Sequence, residues 1–280
     1  MTRMVCLGDS FTEGMSDDLR PDGHYLGWAD RTAAALAAAA HPGYPAPIEY
    51  ANLAVRGKLL DQVVAEQVDD ALALQPDLIT FHAGANDVLR PGTTLADLGR
   101  RYAAAVDRLT LSGATVVLFT SLTRAGGKGL VADRIAARFH EFNAGIRRTA
   151  ERLGCLLVDN EPVAAFSDRR LWSVDRLHLN AAGHQRVAAH VLQTLGVTSE
   201  DVVGGPAGWW QEPLPAQQRS KREDVTADAV WVWQYFLPWL GRRLRGVSSG
   251  DGLTAKDLQL RPTIAAAAPA GSAADGSGSS

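Results

Sequence analysis

The stretch VCLGDSFTEG, residues 5–14, decides the fold. An apolar run that starts at Met4 stops at Gly8, and Asp9 and Ser10 follow at once. The run reads as a short β-strand, and four more occur at Ile48–Leu53, Leu78–Ala83, Ala114–Ser121 and Cys155–Asp159. Helical periodicity fills the intervals, over Leu26–Ala40, Leu59–Leu74, Leu95–Ser112, Val131–Leu153 and Asn180–Leu195, with Asn180 as an N-cap and Gly196 as a stop. Strands alternating with helices predict an α/β protein whose parallel sheet is wrapped by helices.

The remaining features bound the answer. A chain of 280 residues has length for one domain and an appendage. The domain closes near Thr198, giving a unit over 1–198. Residues 199–261 form an arm that carries five of the seven tryptophans, Trp209, Trp210, Trp231, Trp233 and Trp239, with a helix interrupted near Pro238. Those rings are expected to pack on the domain, because large aromatics mostly serve as buried anchors. Residues 262–280 are small and polar and are expected to be disordered.

A net charge of -3 supplies no basic field for nucleic acid or anionic lipid. No uncharged run reaches the roughly 18 residues of a membrane span, and the polar GDSFTEG stands where a leader would be cleaved, so a cytoplasmic address is expected. Cys6 and Cys155 are too few for a disulfide framework or a zinc cluster. No metal, cofactor or stable membrane insertion is expected.

Ligands of an open doubly wound sheet bind beyond the carboxyl ends of its strands. The unusual polar residues fall there: Ser10 after the first strand, Gly57 in NLAVRGK after the second, Asn86 in GANDVL after the third, and Asp175 and His178 in DRLHLN after the fifth. In the flavodoxin-like strand order 2-1-3-4-5, Ser10 lies between Gly57 and Asn86. A serine hydroxyl attacking an ester carbonyl creates an oxyanion that needs preset donors. The N–H groups of Ser10 and Gly57 and the amide of Asn86 fill that need. Ser10 requires a base, which His178 supplies, and Asp175 holds the imidazole tautomer. Asp9 and Asp87 read as loop organisers. His24, His41, His82, His140, His184 and His190 show no metal-ligand spacing, although His82 lies close to the site.

These four blocks, in this order over Val5 to Leu195, resemble those of the SGNH hydrolases, the GDSL-like lipases and esterases. The resemblance implies a three-layer α/β/α fold, here around the five parallel strands read from the apolar runs, and metal-free ester hydrolysis. Ser10 would be the nucleophile, Asp175 and His178 its relay, and Ser10, Gly57 and Asn86 the oxyanion hole. Phe11 departs from the leucine of the family name. Carbohydrate O-deacetylation and thioester or lysophospholipid cleavage use the same groups. A flavodoxin-like receiver built on Asp9 and Asp87, or a scaffold displaying the tryptophans to a partner, is the reading of another class. The substrate expected is a small-molecule ester.

Overall fold

The computed structural model describes residues 1–39, 41–90, 92–122, 129–215, 250 and 252–263. Five parallel strands, β1 (Thr2–Gly8), β2 (Ile48–Asn52), β3 (Leu78–His82), β4 (Thr115–Phe119) and β5 (Leu156–Val158), lie in the order 2-1-3-4-5. The sheet has a sixth member where five are expected from sequence. β6 (Asp257–Pro262) pairs antiparallel with β2 at the sheet edge, Glu49 opposite Pro262 and Asn52 opposite Asp257. Thr263 extends the contact by donating to the carbonyl of Ile48 at 2.8 Å. A strand ending in proline suits an edge, where the missing N–H breaks no ladder.

Both faces of the sheet are covered, which is why the strands are apolar throughout. Met4 and Cys6 of β1 face α2 (Gly27–Ala39) and α8 (Ala181–Thr194), whereas Val5 and Leu7 face the opposite layer. That layer contains α3 (Leu60–Val63), a π-helical turn (Val64–Val68), α4 (Asp69–Ala73), α6 (Leu95–Thr110) and α7 (Leu130–Leu153). Between α4 and α6, β3 leads into α5 (Ala85–Val88). Trp28, Phe81 and Phe119 are wholly buried, each worth about 1.5–3 kcal/mol relative to an exposed ring. Asn180 caps α8 by accepting from Gly183 N–H at 3.1 Å, and Gly196 behind it has a φ of 84°.

Past α9 (Glu200–Val203), Trp210 is buried and stacks on His190 at 3.7 Å, with its indole N–H donating to Gln193. Arg186 lies over the Trp209 ring and donates to the carbonyls of Trp209, Trp210 and Glu212. Trp231, Trp233, Trp239 and Pro238 lie outside the described residues, as does the tail from 264 onward. β6 falls within the stretch read from sequence as the arm, and Pro262, read as the start of the tail, is a strand residue. Among the described residues no helix is long and apolar enough to cross a membrane, and Cys6 and Cys155 are both free thiols.

Two histidines of α8 tie stability to pH. Burial pushes both His184 and His190 down to about 4, against the opposing charges of Asp17 and Asp159 respectively. Between pH 6.5 and 4 the unfolded chain therefore binds protons that the folded chain refuses, and stability falls as pH falls through that window. Melting temperatures measured in steps across it are expected to decline. His190→Phe, which keeps a ring against Trp210, is expected to make the decline shallower.

Candidate active site

The turn after β1 is held by its own residues. Asp9 is the N-cap of α1 (Ser10–Glu13) and accepts from Phe11 N–H at 3.1 Å, so Ser10 is the first residue of the helix. The Phe11 ring anchors the turn from below, 4.5 Å from the His82 ring, 5.5 Å from Trp28 and 5.8 Å from Phe119. That aromatic pocket accounts for phenylalanine at a position where leucine is the family's norm. His82 is buried there, with its Nε2 3.4 Å from the Ser121 hydroxyl.

The loop of Asp175 and His178 is a compact turn. One Asp175 oxygen accepts from the backbone N–H groups of Leu177 at 2.9 Å and His178 at 3.1 Å, and Arg176 between them has a φ of 53°. The chain thereby doubles back, and the other Asp175 oxygen meets His178 Nδ1 at 2.7 Å. The opposite ring nitrogen, Nε2, stands 3.1 Å from Ser10 Oγ. Burial acts to raise the Asp175 pKa, but the His178 hydrogen bond and charge and the two amides outweigh it and hold the carboxyl below its ordinary range. With a carboxylate at Nδ1, the neutral imidazole carries its proton there and keeps a lone pair at Nε2, the nitrogen that faces Ser10 Oγ.

Gly57 lies in the turn after β2 with a φ of 75°, a conformation costly for any residue with a Cβ. Its neighbours fasten it to the rest of the site. Arg56 N–H donates to Glu13 of α1 at 2.7 Å, and Lys58 gives its carbonyl to Asn86 Nδ2 at 3.1 Å. The same Asn86 nitrogen donates to Asp9 at 3.2 Å. Asp87 accepts from Leu60 N–H at 2.9 Å and steadies the start of α3. Ser10, Gly57 and Asn86 thus sit on segments bonded to one another. All three are partly exposed, as are Asp175 and His178.

Gln67 is a contributor that sequence reasoning missed. It lies in the π-helical turn, is buried, and grips both backbone groups of Gly8, accepting from its N–H at 2.8 Å and donating to its carbonyl at 2.9 Å. Asn143 of α7 grips Ser121 past the end of β4 in the same way, at 2.8 and 2.9 Å. Each carboxamide satisfies backbone groups where a strand ladder runs out. A glutamine on an amphipathic helix carries no sequence signal for that task.

A profile of the GDSL-like lipase/acylhydrolase family matches residues 6–186, and the chain belongs to that family. It is a carboxylic ester hydrolase. Solved structures with the same architecture include LAE5, an alpha/beta hydrolase enzyme from the metagenome of Lake Arreo, Spain, at 26% identity and a TM-score of 0.58, covering 71% of this chain and 96% of that one. The acetylxylan esterase Axe2 from Geobacillus stearothermophilus shares 22% identity with a TM-score of 0.54, over 70% of this chain and 94% of its own. TesA shares 22% with a TM-score of 0.54, over 69% and 97%. No curated protein matches the chain.

Proposed function

We propose that Ser10 is the nucleophile of a two-step esterase reaction, with His178 as its base and Asp175 as the group that orients the base. The supporting observation is the unbroken line of hydrogen bonds Asp175–His178–Ser10, at 2.7 and 3.1 Å. Catalytic mutants of the Geobacillus acetylxylan esterase replace a serine, an aspartate and a histidine, and there too the last two are three residues apart.

Ser10 Oγ bonds to the ester carbonyl carbon as His178 Nε2 takes the hydroxyl proton. The carbonyl oxygen becomes an oxyanion facing the N–H groups of Ser10 and Gly57, and Asn86 turns one amide hydrogen to it from its protein acceptors. The carbon–oxygen bond to the leaving alcohol breaks, and that alkoxide receives the proton from His178. Water then attacks the acyl-serine, with its proton passing to His178 and on to Ser10 Oγ, which releases the acid. No cofactor enters this sequence. A cytoplasmic location is part of the proposal and agrees with two free thiols.

The test is a fluorophosphonate probe followed by peptide mass spectrometry. Label is expected on Ser10, and label elsewhere overturns the reading. Asn86→Ala is expected to lower kcat by about 10²–10³, the usual cost of one oxyanion donor. A loss under about tenfold assigns the amide to its bonds with Asp9 and Lys58 alone. A panel of acyl esters of graded length, with acetylated sugars and thioesters included, then ranks substrates.

A further inference from the structure

The segment ending in β6 lies outside the span 6–186 that matches the family, yet it supports the site from behind. We propose that Gly250 and Lys256 are positioning residues for ester hydrolysis: Gly250 sets the Arg56–Gly57 peptide, and Lys256 holds the carboxyl end of the helix that carries Ser10. The assignment rests on the roles proposed above for Ser10 and Gly57.

Gly250 packs directly on the backbone of Arg56. A Cβ there would lie 1.9 Å from the Arg56 carbonyl oxygen and 3.1 Å from its carbon. That carbonyl belongs to the same planar peptide as the Gly57 N–H, and in a trans peptide the two point in opposite directions. Whatever presses on the oxygen therefore aims the proposed oxyanion donor. The preceding peptide is held from the other side, since Arg56 N–H and the Arg56 guanidinium both meet the Glu13 carboxylate, at 2.7 Å and 2.9 Å, while the guanidinium also covers the Tyr25 ring. Arg56 is thus clamped between α1 and the carboxyl-terminal segment.

Lys256 completes the clamp. Its side chain is 1% exposed, and its ammonium donates to the carbonyls of Glu13 and Tyr25 at 2.8 Å each and of Leu26 at 3.2 Å, besides pairing with Asp30. Asp30 is further bonded by Arg20 and by the Tyr50 hydroxyl. Buried ion pairs are weak sources of stability compared with apolar packing. What this one supplies is a fixed place for the end of α1, four residues long, whose first residue is Ser10.

The experiment uses the full chain and a short nitrophenyl ester. Gly250→Ala is expected to lower kcat by about 10–100-fold with KM within about twofold, the signature of lost alignment rather than lost binding. Fluorophosphonate labelling of Ser10 is expected to slow by the same factor. Gly252→Ala is the control: its φ of 77° is strained by a side chain, but nothing lies within 4 Å of the added carbon, so kcat stays at the wild-type value. Lys256→Met is expected to show the same split between kcat and KM, and Lys256→Gln, which retains two N–H donors, a smaller loss. If Lys256→Met does not fold, Gly250→Ala and Lys256→Gln decide the matter. Folded Gly250→Ala and Lys256 variants with wild-type kcat overturn the proposal and leave the segment a stabilising role only. An active Ser10→Ala instead overturns the site reading, so the two failures are distinguishable.

Discussion

Ser10→Ala and His178→Ala are each expected to lower kcat by about 10⁶-fold, to a residue of activity set by the proposed oxyanion donors and binding alone. The size of the effect follows from the 3.1 Å contact between Ser10 Oγ and His178 Nε2. In the proposed reaction Ser10 attacks only as His178 takes its proton, so the double variant is expected to be no slower than either single one. Folding should survive both changes. Ser10 is a small, partly exposed side chain, and the turn that bears it is capped by Asp9. The check is turnover of a short nitrophenyl ester beside far-ultraviolet circular dichroism. Retained turnover in either variant with a native spectrum removes the substituted residue from the reaction.

Asp175→Asn is expected to cost about 10⁴ in kcat, with little change in KM. Asparagine can still accept from Leu177 and His178 N–H through one oxygen, so the turn persists. Its amide now donates toward His178 Nδ1, the imidazole proton moves to Nε2, and the lone pair that should receive the serine proton is gone. Asp175→Ala removes the turn bonds as well, and a lower melting temperature is expected for it than for Asp175→Asn. Equal kcat for Asp175→Asn and wild type would show that His178 keeps its tautomer without the carboxylate.

Much of this site is legible in the sequence, because each block announces a strand end. Apolar runs that stop at Gly8, Leu53 and Ala83 place Ser10, Gly57 and Asn86 on neighbouring loops, and the spacing of Asp175 and His178 fits a single turn. β6 is not legible. DLQLRP has no long apolar run, alternates weakly and ends in proline, all of which an edge strand tolerates. Lys256 is missed for another reason: a lysine reads as solvent-exposed unless the carbonyls that surround it are known, and these come from three separate residues near α1 and α2. The left-handed backbone of Arg176 likewise has no local signal, since arginine seldom adopts it.

The sixth strand also bears on how the molecule is made. Pro262 lies opposite Glu49, roughly 210 residues earlier in the chain. Closing so long a loop costs little more at equilibrium than closing a shorter one, because the entropy grows only with the logarithm of length. On the ribosome the order of synthesis is what counts. At about 5–20 residues per second, strands β1 to β5 emerge well before β6. Until then β2 is a bare edge, open to any other extended chain, and Asp30 has no ammonium beside it. The turn that carries Ser10 therefore gains its Lys256 contact only after the other five strands have been made.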